Sequence, residues 1–140
     1  MFKSNSIWFW QRILTPHMAA LASELANRGF KVTFVANSLL SSARAKQGWV
    51  TPSLGKAKLI LARNKENVIS IASDVPRDSI HICQGLRGNG LIKYTQKILR
   101  KRGLKYWVLM EMVDDEGVIG AIKRIIYNFL FLRWQKNLVG

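Results

Sequence analysis

At 140 residues the chain has room for one domain with a real core and is short for two, so residues 1–140 are read as a single domain. A composition of 49% hydrophobic and 21% charged residues excludes a disordered or low-complexity chain. Lys and Arg number 22 against 8 Asp and Glu, giving +14 and an isoelectric point near 10.5; such a surface seeks nucleic acid, an anionic membrane face or phosphate-bearing small molecules.

Ser6 to Trp10 is a continuous aromatic and β-branched run, as expected for a strand buried on both faces. After a loop over Gln11 to Thr15, Pro16 opens a helix. Thr15 is its N-cap, Met18, Leu21, Ala22 and Leu25 recur at helical spacing, and Asn27-Arg28-Gly29 is its stop. Lys31 to Ala36 is a second strand. Strand, helix and strand within about 30 residues make a βαβ unit with parallel pairing.

Asn37 to Gln47 is compatible with a helix, with Ser38 as one possible cap, ended by Gly48. Lys58 to Ala62 reads as a strand and Val68 to Ile71 as a second short one. Ser79 to Cys83 is the next central strand, followed by a Gly-rich loop from Gln84 to Gly90 and a helix from Leu91 to Arg102 stopped by Gly103. Lys105 to Met112 is another strand, and a final helix runs from Val118 almost to the end. Alternating apolar strands and helices predict an α/β fold: a doubly wound, Rossmann-like parallel sheet. Ligands of such sheets bind outside the carboxyl ends of the strands, where strand order reverses. Three loops meet there: Gln11 to His17, Gln84 to Gly90, and Glu111 to Gly117.

Gly85-Leu86-Arg87-Gly88-Asn89-Gly90 lies between a strand and a helix, where free backbone N–H groups and the helix dipole favour an anion. Its glycines fall as GxxGxG, not the dinucleotide GxGxxG, and the alternative is a loop whose glycines simply turn tightly. Arg87 adds a guanidinium fork suited to phosphate, carboxylate or paired hydroxyls, unless it is a solvated surface residue. His17, in the first turn of the first helix, is a candidate base or a ligand for acceptor hydroxyls, against an ordinary polar role. His81 and Cys83 share a strand face and read as a packed, hydrogen-bonded histidine and a small core filler. Half of the acidic residues, Glu111, Asp114, Asp115 and Glu116, sit in one stretch. Asp114 or Asp115 suits the capping of the final helix, whereas Glu111 sits where the strand end faces the crevice.

The final helix carries Ile119, Ile122, Ile126, Phe129 and Leu130 on one side, with Lys123, Arg124, Arg133 and Lys136 as cations. It suits either a membrane interface, where Lys123, Arg124 and Arg133 meet lipid, or a buried position against the sheet. Those charges also interrupt the longest apolar stretch before about 18 residues, so no transmembrane span is predicted. The apolar run at Ile7 to Trp10 is too short for a signal peptide. A single cysteine forbids an intrachain disulfide and makes a reducing compartment the default, and two histidines beside it give no metal spacing.

The stretch Thr15-Pro16-His17-Met18-Ala19-Ala20-Leu21-Ala22-Ser23-Glu24-Leu25-Ala26-Asn27-Arg28-Gly29-Phe30-Lys31-Val32-Thr33, with Ile80-His81-Ile82-Cys83-Gln84-Gly85-Leu86-Arg87-Gly88 and Val113-Asp114-Asp115, resembles the N-terminal domain of GT-B-fold glycosyltransferases. Family 4 members that build bacterial polysaccharides are the most similar in pattern. The resemblance covers nearly the whole chain and implies the acceptor-side half of the enzyme. A nucleotide-sugar donor would bind a second Rossmann domain, in cis or in trans, and no cofactor would bind this one. Transfer would be to a hydroxyl of a sugar or lipid-linked sugar, in the cytoplasm and peripherally at the inner membrane face. By position, the resemblance carries His17 and Glu111 as catalytic candidates and Gln84, Gly85, Arg87 and Gly88 as acceptor contacts. Where many relatives carry a histidine two residues after the match to His81, this chain has Cys83. The chain is expected to be truncated before the donor-binding domain. The competing expectations are a basic nucleic-acid-binding α/β module, although no specific nucleic-acid motif is present, and a non-catalytic partner subunit of a split glycosyltransferase.

Overall fold

A computed structural model describes residues 4–86, 89–110 and 117–139. Strand β1 (Ser6–Ile13) leads through helix α1 (Pro16–Asn27) into β2 (Lys31–Ser38), then α2 (Ser42–Lys46), β3 (Lys58–Leu61) and α3 (Lys65–Asp74). The chain continues through β4 (Ile80–Gln84), α4 (Ile92–Lys101), β5 (Tyr106–Leu109), α5 (Gly117–Trp134) and the two-residue β6 (Leu138–Val139). The strands form one parallel sheet in the order β3-β2-β1-β4-β5-β6. This is the Rossmann-like, doubly wound arrangement, and its order reverses between β1 and β4.

Because the chain steps outward from β1 on one side and outward from β4 on the other, right-handed crossovers must place α1 and α4 on opposite faces. Two cores result. Phe9, Phe34 and Ala36 pack with Met18, Ala19, Ala22 and Ala26 beneath α1. On the other face Trp10, Val35, Cys83 and Tyr106 pack with Val68 and Ala72 of α3 and Ile92 and Leu99 of α4. Adjacent strand residues such as Phe9 and Trp10 therefore enter different cores, which is why β1 and β2 read as unbroken apolar runs.

Several boundaries differ from expectation. β1 does not stop at Trp10: Gln11 pairs with Ala36 and Ile13 with Ser38, so the ladder carries polar residues to the strand end. Asn37 and Ser38 accordingly belong to β2, and only Ser42–Lys46 turns helical, capped by Ser41, whose Oγ accepts from Arg44 N. The expected short strand at Val68 to Ile71 is part of α3. Val68, Ile71, Ala72 and Val75 recur at i, i+3, i+4 and i+7, and Asn64 Oδ1 accepts from Asn67 N at 2.8 Å to cap the first turn. Thr15 holds the extended backbone of an N-cap but makes no side-chain cap bond. The alternative of a buried final helix does not hold, because α5 is exposed along most of its length.

Candidate active site cleft

A cleft with a cavity volume of about 280 Å³ opens at the carboxyl ends of β1, β4 and β5, beside the point where strand order reverses. That volume is near the lower end of small-molecule sites, roughly 300–1,000 Å³. β1 contributes Gln11 and Arg12, the start of α1 gives Thr15, His17 and Met18, and β4 gives Gln84 with the following Gly85. Asn89 comes from the loop before α4, and Leu109 and Met110 close the β5 side.

The backbone around the cleft is tied by side chains. Arg12 N donates to Gln84 Oε1 at 2.8 Å, joining the ends of β1 and β4 beyond their last paired residues. Gly85 takes φ +71°, a conformation that L side chains rarely adopt, and its N–H donates to Leu109 O at 2.8 Å. The Gly85 carbonyl accepts from Asn89 Nδ2 at 3.1 Å and Gln96 Nε2 at 2.7 Å, while Asn89 Nδ2 also reaches Gln84 O and Gln96 Oε1. The Gly85 N–H is thus spent on β5 rather than presented to an anion, and what Gly85 gives the site is its turn.

Three residues of the cleft lining each hold a polar atom sealed from solvent and without a hydrogen-bond partner among the described residues: Gln11 Nε2, Thr15 Oγ1 and Asn89 Oδ1. Gln11 is 3%, Thr15 9% and Asn89 4% exposed, so bulk water does not satisfy them. One is a donor, one an acceptor and one both. Such a mixed set matches hydroxyl groups, which give and take hydrogen bonds, better than bare phosphate, which only accepts, and a ligand reaches it only if the cleft wall shifts. The exposed side chains of Arg12 and His17 add a guanidinium and an imidazole at the rim, and among the described residues no carboxylate lines the cleft.

The cleft brings together His17, Gln84 and Gly85 of the residues expected from sequence. Arg87, Gly88 and Glu111, with Asp114 and Asp115, lie outside the described residues. Lys123, Arg124 and Arg133 stand on α5 and line no part of the cleft. Gln11, Arg12, Thr15 and Asn89 were missed as site residues. The signal for the first two was the abrupt change from Trp8-Phe9-Trp10 to a polar pair at a strand's carboxyl end.

Behind the cleft, His81 is 1% exposed and its Nδ1 accepts from Trp10 Nε1 at 3.3 Å. Burial first, and the positive charge of Arg102 second, lower its pKa to about 4, so the imidazole is neutral and its proton sits on Nε2. Burial pushes the Cys83 thiol up, against a smaller opposing effect of Arg100, and keeps it protonated. Neither residue lines the cleft, so the departure from histidine at Cys83 falls within the core.

No profile of a known family, no curated protein and no solved structure matches the chain. Among the described residues no helix is long and apolar enough to cross a membrane.

Proposed function

We propose that this chain is the acceptor-side domain of a GT-B-type glycosyltransferase, similar to family 4 members, acting in bacterial surface polysaccharide or glycolipid synthesis. The carrying observation is that three residues lining one small cleft at the switch point hold buried polar atoms, Gln11 Nε2, Thr15 Oγ1 and Asn89 Oδ1, without a partner among the described residues. The complete reaction moves a sugar from a nucleotide diphosphate to an acceptor hydroxyl in the cytoplasm, with the donor held by a second Rossmann domain in cis or in trans. The chain's own residues orient the acceptor. The amides of Gln11 and Asn89 and the Thr15 hydroxyl fix its hydroxyl groups, and Arg12 faces a phosphate if the acceptor carries one. His17, at the rim, is the side chain suited to take the proton of the attacking hydroxyl.

The test is an NMR titration of the chain with simple saccharides and with a glycosyl pyrophosphate. The reading expects saturable shifts at Gln11, Thr15 and Asn89, lost in Asn89→Leu. No response to any sugar, with steeply salt-dependent binding of a DNA or RNA duplex instead, overturns it in favour of the basic nucleic-acid module.

A further inference from the structure

α5 turns its apolar residues away from the domain. Val118, Ile122, Ile125, Phe129 and Leu132 follow one another at spacings of four, three, four and three, the a and d positions of a heptad, and so form one seam along about 21 Å of helix. All are exposed, from 52% at Ile122 to 78% at Val118, whereas on the opposite side of the helix Gly120 is buried and Tyr127 half-buried. Seven of the thirteen exposed large apolar residues among the described residues belong to this one helix, so the exposure is a surface and not a scatter. With Ile119 the seam offers on the order of 600 Å², the upper end of what a monomer leaves in water and close to the roughly 800 Å² that each partner brings to a stable complex.

The placement of charge selects the partner. The positions that flank the seam hold Ile119, Ala121, Ile126, Asn128 and Arg133, and only the last is charged. Lys123 and Arg124 lie a third of a turn or more from the centre of the seam. An anionic lipid surface would need cations along the borders of the apolar stripe, and this helix keeps most of them away. Two copies of the seam, by contrast, meet without opposing like charges along its length. Direction follows from the ends. Glu111, Asp114, Asp115 and Glu116 precede the amino end in sequence, while Arg133 and Lys136 follow the seam at the carboxyl end. An antiparallel pair therefore joins an acidic end to a basic one twice, and a parallel pair would join like to like. Antiparallel packing also sets a against d, so that Val118 meets Phe129, small against large, and Ile122 meets Ile125.

We infer that α5 is a self-association surface: two copies of the chain pair through antiparallel α5 helices about a two-fold axis that lies between the Ile122–Ile125 layers. This does not rest on the glycosyltransferase reading; a failure of sugar binding at the cleft leaves it standing, and the reverse also holds.

Sedimentation equilibrium of the whole chain over a concentration series tests it. A monomer–dimer equilibrium is expected. Because each chain carries +14, the dimer should tighten several-fold as salt rises, the opposite of binding to an anionic lipid or a nucleic acid. Ile122→Asp and Ile125→Lys, both at exposed positions, should each keep the native circular dichroism and weaken the dimer about tenfold or more. Mixing the two variants should restore association, because antiparallel packing sets the new carboxylate against the new ammonium and parallel packing does not. Four results overturn the inference: the mass of one chain at every concentration, a dimer that neither substitution weakens, a mixture that stays monomeric, or a monomer that floats with phosphatidylglycerol vesicles until Ile122→Asp abolishes it. The last gives the seam to lipid.

Discussion

Trp10 and His81, on neighbouring strands that pair across the reversal point, share a hydrogen bond in which the indole Nε1 donates to the imidazole Nδ1 at 3.3 Å. That bond needs an unprotonated Nδ1, while His81 Nε2 has no partner among the described residues. The folded state thus favours a neutral ring.

The first expected consequence is a stability change in acid. The unfolded chain takes up a proton on this histidine near 6.5 and the folded chain only near 4. Between those values the unfolded state binds more protons, so stability rises with pH through the window. The contribution is fully present above 6.5 and is lost as pH falls to about 4, roughly 3 kcal/mol in all. Urea unfolding at pH 7 and pH 5 should show about 2 kcal/mol of it. The loss should be largely absent in His81→Asn, whose Oδ1 can still accept from Trp10. An equal loss in both proteins would remove His81 as its source.

Cys83 should be silent toward thiol reagents. It is fully buried and its thiol is held protonated, so the native chain at pH 8 should react with an aromatic disulfide reagent only at the rate of opening events, and promptly in denaturant. Fast, stoichiometric reaction of the folded chain would contradict the packing around α4.

Binding and stability should separate at Thr15. Its Oγ1 is buried without a partner among the described residues, so Thr15→Val exchanges an unsatisfied hydroxyl for a methyl group of similar shape. Stability should hold or rise by up to about 1 kcal/mol, while affinity for a hydroxylated ligand of the cleft falls several-fold. Thermal melts and the saccharide titration, run on the same variant, read the two quantities independently.

At Gly85 the two quantities should move together. Its φ of +71° costs a residue with a Cβ about 1–2 kcal/mol, and its carbonyl anchors Asn89 and Gln96. Gly85→Ala should therefore both lower the melting temperature and weaken ligand binding. Gln96→Leu, which removes the shorter of those two anchors, should cost about 1–2 kcal/mol.

The parallel sheet was legible because Ser6 to Trp10, Lys31 to Ala36 and Ser79 to Cys83 are apolar on both faces, and only a central strand needs that. The helix at Lys65–Asp74 was hidden by its β-branched residues: Val68 and Ile71 suggest a strand when read as a short run, and only the longer window that includes Ala72 and Val75 shows the helical period. The cleft was half legible. His17, Gln84 and Gly85 follow from strand ends and a glycine loop. Gln11 and Asn89 acquire meaning only when burial leaves one polar atom of each unpaired, a condition that depends on what the fold packs around them. The exposure of α5 was hidden for the same reason, since an apolar stripe has the same spelling whether it packs on a sheet or stands exposed.

The bond from Arg12 N to Gln84 Oε1 joins residues 72 positions apart, across the seam where β4 returns to β1 after the chain has built β2, β3 and α3. Closing so long a loop is slow, because chain entropy is lost before any contact rewards it. The cleft is therefore expected to form late in folding, and a partly folded form that lacks the β1–β4 seam should bind nothing there. A molecule that binds there would stabilise only the finished domain and so act as a pharmacological chaperone for the chain.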